Sequence, residues 1–499
     1  MPYDLIIRDG TVVDGSGRPR FAADVGIEGD RIVAVGTLGS DARRTIEAAG
    51  RVVAPGFIDV HSHDDFALLD RPLCDFKLMQ GVTTEVIGNC GFGAAPANDA
   101  YKRFLRAFGA LLFGPLGDFS WETTDGFYRA LEARPAAVNV AALIPHAAVR
   151  YGVLGAENRS PSPQELAKMR ALVCEGMEAG AVGLSTGLFY VPGMYAKTEE
   201  VSALAQVVAE YGGLYATHMR DEADHLLDSI NETLRIGEEA GVAVQISHHK
   251  AMGRKNWGKV AESLALVEQA RTRGLDATSD VYPYTAGSTT LAALVQGGAL
   301  ERVAPAEVLI ASVPHRHEYE GKTLEEICRL TGTPLQETVT ELLAQEGEGI
   351  VAVIFAMDEA DVRRVLAHPT TMIGSDGIPS VEGKPLPRLY GTFARVLGTY
   401  VREEHLLTLE DAIFRMTGFP AQKFRLTDRG CICEGAYADL VVFEPQVIAD
   451  IGTYQQPRWY PPGIAYVLVN GKVTADHGRH TGERSGRVLR QKRHSQSVR

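Results

Sequence analysis

Ala54-Pro55-Gly56-Phe57-Ile58-Asp59-Val60-His61-Ser62-His63 is the stretch on which the fold of this chain turns. A short strand, Phe57 to Val60, runs directly into two histidines one residue apart. Side chains alternate across a strand, so His61 and His63 share a face and present two imidazoles suited to a single metal ion. From there to about residue 420, apolar strand, polar turn and amphipathic helix alternate many times. That rhythm predicts a parallel sheet covered by helices. Strands are expected at 57–61, 83–87, 138–144, 181–186, 214–218, 243–247, 275–280 and 371–375. Eight of them suggest a closed (β/α)8 TIM-like barrel.

The two ends of the chain read differently. Residues 3–8, 11–14, 24–28 and 31–36 form short strands parted by turns such as Arg8-Asp9-Gly10 and Glu28-Gly29-Asp30, which predicts a small antiparallel sheet. The pattern returns at 438–443, 464–469 and Gly471-Lys472-Val473. One small β-sandwich is expected from residues 1–55 plus 421–483, with the barrel, 56–285 plus 351–420, inserted into it. The stretch 286–350 is too long for an ordinary βα connection and carries helical patterns at 323–331 and 335–346. It predicts an insertion subdomain over the barrel mouth. Residues 484–499 are basic, lack acidic residues and read as a disordered tail.

Composition narrows the function. With 499 residues, 45% of them hydrophobic, the chain can bury a large core. A net charge of -13 argues against a nucleic-acid partner. No charge-free apolar run reaches the ~18 residues of a spanning helix, so no membrane partner is expected. Met1 to Arg8 lack a basic segment followed by an apolar one, so no signal peptide is expected. Six cysteines show no disulfide rhythm, and Cys431 with Cys433 do not make a C-x-x-C motif. A reducing, cytoplasmic compartment and a small-molecule partner are the expectation. Nothing in the sequence sets the oligomeric state.

Barrel enzymes carry their chemistry at the C-terminal ends of strands. Strand two ends in Gly88-Asn89-Cys90-Gly91, strand five in Thr217-His218, strand six in Ser247-His248-His249-Lys250 and strand eight in Gly374-Ser375-Asp376. A single His or Cys at such a place is ordinarily a buried structural residue. Four histidines, a cysteine and an aspartate recurring at five strand ends, in a chain with 14 histidines, point instead to a metal centre. Imidazole with thiolate favours Zn²⁺ over Mg²⁺ or Ca²⁺. At strand six, alternation directs His248 and Lys250 inward and His249 into the helix layer, so His248 is the candidate ligand. Asp376 reads as a carboxylate that takes a proton from metal-activated water, a helix N-cap being the bland alternative. His146, at the end of strand three, reads as a rim residue, and Glu85 as a buried hydrogen-bonding partner.

These residues resemble the amidohydrolase superfamily, and within it the N-acyl-D-amino-acid deacylases (D-aminoacylases), over nearly the whole chain. The marks are the opening stretch 54–63, Gly88-Asn89-Cys90-Gly91, Ser247-His248-His249-Lys250, Tyr282-Pro283-Tyr284, Ala286-Gly287-Ser288-Thr289, Ser375-Asp376-Gly377 and Pro387-Arg388-Leu389-Tyr390-Gly391-Thr392-Phe393. The first occurs across the superfamily; the cysteine motif and the last two are more specific. Hydantoinases, dihydroorotases and ureases typically carry a carbamylated lysine at the end of strand four. Here Gly183-Leu184-Ser185-Thr186-Gly187-Leu188-Phe189-Tyr190 holds no lysine, and the resemblance assigns that role to Cys90.

The same resemblance implies a tight zinc at Cys90, His218 and His248 and a weak or empty second site at His61 and His63. It implies Lys250 and Arg388 as cationic partners of a substrate α-carboxylate, with the hydroxyls of Tyr190, Tyr282 and Ser288 nearby. An arginine gripping that carboxylate bidentately helps select one hand at the α-carbon. The implied activity is zinc-dependent hydrolysis of N-acyl-D-amino acids to a carboxylate and a free D-amino acid. Residues Thr285 to Leu291 hold no cation for a second carboxylate, so neutral or hydrophobic side chains are expected unless a basic residue of the 286–350 insertion reaches the site. Cyclic-amide opening and cleavage of D-dipeptides or of N-acyl-D-Glu and N-acyl-D-Asp stay open at this point. So does a non-catalytic scaffold, although every expected ligand is present.

Overall fold

The computed structural model describes residues 3–39, 41–108, 116, 119–380 and 382–491. Eight parallel strands succeed one another in chain order: Phe57–Asp59, Val82–Ile87, Asn139–Pro145, Gly183–Gly187, Leu214–His218, Ala243–Ile246, Ala277–Val281 and Thr371–Ile373. The eighth returns to the first through a parallel bridge between Ser62 and Gly377 and a 2.8 Å hydrogen bond from Asp376 N to His61 O. This seam is held by buried Asp59. Its Oδ1 accepts from the backbone N–H groups of His61 and Ser375 at 3.2 and 2.8 Å, and its Oδ2 pairs with buried Lys77 Nζ at 2.6 Å. The backbone that closes the barrel is therefore the backbone that carries His61, His63 and Asp376.

Alternation sorts the strand side chains. Ile58, Val86, Ala141, Leu143 and Ala216 pack together inside the barrel, while Phe57, Ile87, Ala142, Ile144 and Tyr215 face the helices. The helices are locally encoded. Ser162 and Glu165 form a capping box with Pro163 at the first helical position, and the helix Pro163–Glu178 then buries Met169, Val173 and Met177 at four-residue spacing.

The chain ends, expected to form one β-sandwich together, meet in one nine-stranded sheet. The expected strands 3–8 and 11–14 are one strand, Tyr3–Val12, in which Asp9 (φ 55°) marks a bulge, not a turn. That strand pairs in parallel with Ala42–Glu47 and Val52–Pro55, two strands the sequence reading missed, so the sheet is mixed. Val52–Pro55 also pairs antiparallel with Leu440–Phe443, which joins the N-terminal and C-terminal parts. Val53, Leu440 and Val442 face the sheet's own core, whereas Val52, Ala54, Val441 and Phe443 pack on the barrel.

The insertion holds the helices Leu324–Thr331 and Leu335–Glu346 and a three-stranded antiparallel sheet of Gly287–Thr290, Val308–Ser312 and Val351–Ile354. Val351–Ile354, expected in the barrel half, belongs to this sheet because it is the middle strand between the other two. The expected tail also needs correction. Residues 485–491 lie along the barrel, with Val488 bridged to Val140 and Arg490 paired to Asp125 and Glu132 at 2.7 and 2.9 Å. Arg487 pairs with Asp30 of the chain-end sheet at 2.7 Å, and such pairings are not visible in composition alone; residues 492–499 lie outside the described ones. Among the described residues no helix is long and apolar enough to cross a membrane.

A buried polar cluster fastens sheet to barrel. Asp439 accepts from Asn139 Nδ2 at 3.1 Å and Asn470 N at 2.7 Å, and pairs with Arg429. Asp439→Ala leaves that guanidinium buried without its counter-charge and is expected to cost about 3–5 kcal/mol in denaturant unfolding. A loss below 1 kcal/mol would show that the cluster does not fasten the two parts.

Candidate metal centre

Cys90 lies where the second strand gives way to a tight turn, Gly88-Asn89-Cys90-Gly91, with Cys90 in left-handed backbone (φ 52°). The turn threads between neighbouring strands, and glycine is required on both sides. A Cβ at Gly88 would stand 2.3 Å from Leu143 O, and one at Gly91 2.6 Å from Gly187 N. Ser185, on the fourth strand, accepts from Gly91 N at 3.0 Å and donates to Gly88 O. The thiol is thereby fixed at the centre of the barrel mouth.

Around it the strand ends deliver imidazoles. His61 Nε2 and His248 Nε2 lie 3.3 and 3.4 Å from Cys90 Sγ, and the rings of His218 and His248 are 4.5 Å apart. Two groups of potential ligands result, one of Cys90, His218 and His248 and one of His61, His63, Cys90 and Asp376, each with its donor atoms within 4.8 Å of one another. Cys90 is common to both. Burial would push its thiol up, but the charges of His61 and His248, with hydrogen bonds from His218 and His248, hold it well below the ordinary thiol range. Burial would raise Asp376 too, yet Arg388, His61 and His63 hold it well below the ordinary carboxylate range. His248 (φ 36°) and Asp376 (φ 47°) share the left-handed backbone of Cys90. Such conformations cost about 1–3 kcal/mol each and persist where the surroundings enforce them.

Two carboxylates that sequence reasoning missed orient these groups. Asp280, at the end of the seventh strand, lies 3.1 Å from His61 Nδ1 and accepts from His248 N at 2.8 Å and Gln245 Nε2 at 2.9 Å. The strand-end rule that located His218 points equally to Asp280. Glu222 lies 2.9 Å from His248 Nδ1 and 2.7 Å from Lys250 Nζ, and it comes from the loop after strand five, where no periodicity marks it. His249 sits in the helix layer, 2.7 Å from Ser263 Oγ, and burial lowers it to about 4. His146 is not a rim residue. It opens the helix His146–Leu154, which follows the third strand without a loop, and its Nε2 lies 3.0 Å from buried Glu200. Glu85 accepts from Ser62 Oγ at 3.1 Å, behind the histidines.

A cleft of about 1060 Å³, counted to its open mouth, leads to the cluster, and Cys90, His218, His248, Lys250, Tyr282 and Asp376 line it. Tyr190 and Ser288 line it as well, and Tyr190 Oη accepts from Thr289 Oγ1 at 3.2 Å. Lys250 is not a free cation, because its ammonium is held by Glu222. Arg388 is buried in an adjoining hollow that shares Ser288 with the cleft, stacked 4.3 Å over the Tyr282 ring and 2.9 Å from Asp376 Oδ2. Its Nε and Nη1 have no hydrogen-bond partner among the described residues.

The donor set fits zinc. A thiolate and imidazoles converge, carboxylates behind them orient two of the rings, and buried His218 Nδ1 has no hydrogen-bond partner among the described residues. The sequence matches the amidohydrolase family over residues 44–294 and 261–475. It is 43% identical over 493 residues to the D-aminoacylase of Alcaligenes xylosoxydans xylosoxydans, covering 98% of both chains. The chain belongs to the D-aminoacylase group of the amidohydrolase family. A solved structure concerned with the binuclear metal centre of D-aminoacylase superposes with a TM-score of 0.91 at 43% identity, covering 98% of this chain and 100% of that one. The N-acyl-D-glutamate deacylase of Bordetella bronchiseptica, solved with zinc and a phosphonate mimic of the tetrahedral intermediate, gives 0.88 at 39% identity with the same coverage.

Membership of this family makes the shared cysteine testable. Cys90→Ala is expected to deplete both donor groups of zinc, whereas His218→Ala depletes one and His63→Ala the other. Metal content after dialysis against a graded chelator reads the difference, and full retention by Cys90→Ala would remove the thiol from the site.

Proposed function

We propose that the protein hydrolyses N-acyl-D-amino acids to a carboxylate and a free D-amino acid. The observation that carries this reading is a cleft ending on a thiolate–imidazole cluster with Asp376 beside it, and Arg388 in the adjoining hollow 2.9 Å from that carboxylate. Cys90, His218 and His248 would hold the tight zinc, and His61 with His63 the weaker second one. Zinc held there supplies Lewis acidity, lowering the pKa of water towards ~7 and polarising the acyl carbonyl.

The chain's own residues then have separable roles. Asp376, ionised by its partners, takes the proton of the attacking water and passes it to the leaving nitrogen. The spare donors of Arg388 receive the substrate α-carboxylate, which a dry site must neutralise. Lys250, 5.8 Å from the centre of the Tyr282 ring, adds positive charge while anchored on Glu222, and the hydroxyls of Tyr282, Ser288 and Tyr190 complete the carboxylate and carbonyl contacts. Fixing the carboxylate and the acyl carbon leaves one orientation for the side chain, which selects the D-hand. Phe189, Met252, Leu294, Val303 and Ile354 also line the cleft, and the one insertion cation among its lining residues, Arg302, is paired with Asp221, which favours neutral or hydrophobic side chains. A reducing, cytoplasmic setting keeps Cys90 as a free ligand.

The reading is tested with zinc-loaded protein and paired N-acetyl-D- and N-acetyl-L-amino acids. Turnover is expected for the D-forms, leucine and methionine above glutamate. Turnover of L-forms, or of cyclic amides alone, would overturn it. Asp376→Ala is expected to lower kcat by about 10²–10⁴-fold. Arg388→Met is expected to cost about 2–5 kcal/mol in kcat/KM, much of it as raised KM.

A further inference from the structure

Among the described residues Lys250 and Arg302 line the substrate cleft and Arg388 lies in the adjoining hollow, and each of the three is matched by one carboxylate. Lys250 is held by Glu222 and Arg388 by Asp376, both pairs touching candidate metal ligands. The third pair differs. Arg302 is contributed by the insertion, as the last residue of the turn Ala299–Arg302, and its Nη1 meets Asp221 Oδ2 at 2.8 Å. Both residues line the cleft beside Met252, Ala299 and Val303. Asp221 adjoins Glu222 in the chain, which places the pair close to the reacting centre.

The two partners are not equally held. Asp221 Oδ1 accepts from the backbone N–H groups of Ala223 and His225 at 2.7 and 3.2 Å, which fixes the carboxylate and aims Oδ2 into the cleft. The Arg302 side chain is 30% exposed, against 14% for Asp221. An arginine set among apolar neighbours such as Met252, Ala299 and Val303 is the natural partner of a side-chain carboxylate. With Asp221 already on it, an acidic side chain meets a neutralised guanidinium and a fixed like charge, whereas a neutral side chain meets no unpaired charge. We infer that Asp221 is a specificity-determining residue: it serves Arg302 as an internal counter-ion and so excludes N-acyl-D-amino acids with acidic side chains. The inference rests on the proposed deacylase reaction and adds the residue that sets its side-chain preference.

The test compares kcat/KM for N-acetyl-D-glutamate and N-acetyl-D-leucine in the zinc-loaded wild type, in Asp221→Asn and in the double variant Asp221→Asn/Arg302→Gln. Asparagine keeps an oxygen for the Ala223 and His225 N–H groups, so the loop is retained while the charge is removed. The glutamate-to-leucine ratio is expected to rise about tenfold in Asp221→Asn, the size typical of a freed, partly exposed charge contact, and to fall back in the double variant. An unchanged ratio, an equal loss on both substrates, or a gain that survives in the double variant would overturn the inference. So would a wild type that already prefers glutamate. A wild type inactive on every N-acetyl-D-amino acid would instead overturn the deacylase reading, and the inference with it.

Discussion

A thiolate cannot be buried at the centre of a barrel unless positive charge and hydrogen-bond donors meet it there, and Cys90 obtains both from His61, His218 and His248. Much of the architecture follows from that requirement. Cys90 takes a left-handed backbone, so the turn before and after it must be glycine and must pass against the ends of the third and fourth strands. The fourth strand yields the space. A Cβ at Gly187 would lie 2.1 Å from Cys90 O, so the turn that brings in the cysteine fills the place from which a longer side chain could reach the metals. The absence of a lysine from residues 183–190 and the presence of Cys90 are two sides of one steric fact.

Barrel closure and site assembly are likewise one event. The seam between first and eighth strands is held by Asp59, Lys77 and Ser375, and the residues leaving that seam are His61, His63 and Asp376. Each is also tied to a neighbour, His61 to Asp280 and Asp376 to Arg388. The cleft charges are thus matched before any substrate arrives, and a ligand carboxylate gains only by reaching donors left over, of which those of Arg388 are the clearest.

The eight barrel strands were legible because each is a short apolar run between polar turns, and the observed bounds differ from the reading by a residue or two. His61, Cys90, His218, His248 and Asp376 were legible because strand ends in a barrel share one rim. Four things were not. The parallel pairing of Tyr3–Val12 with Ala42–Glu47 leaves no mark in a period-2 pattern, which records the buried face and not the partner. Val351–Ile354 reads as a buried strand whichever sheet it joins. Glu222 belongs to a loop, where position depends on the path of the whole connection, and His146 misled because the residue after the third strand opens a helix directly, which turns its ring to Glu200.

We propose that Cys90 Sγ ligates the catalytic metal in place of a lysine-derived bridge. X-ray absorption at the zinc edge of the zinc-loaded protein addresses it most directly. A sulfur shell at about 2.3 Å beside nitrogen or oxygen at about 2.0–2.1 Å, with the sulfur lost in Cys90→Ser, is the expected result. A shell of nitrogen and oxygen alone in the unmutated protein would contradict the account.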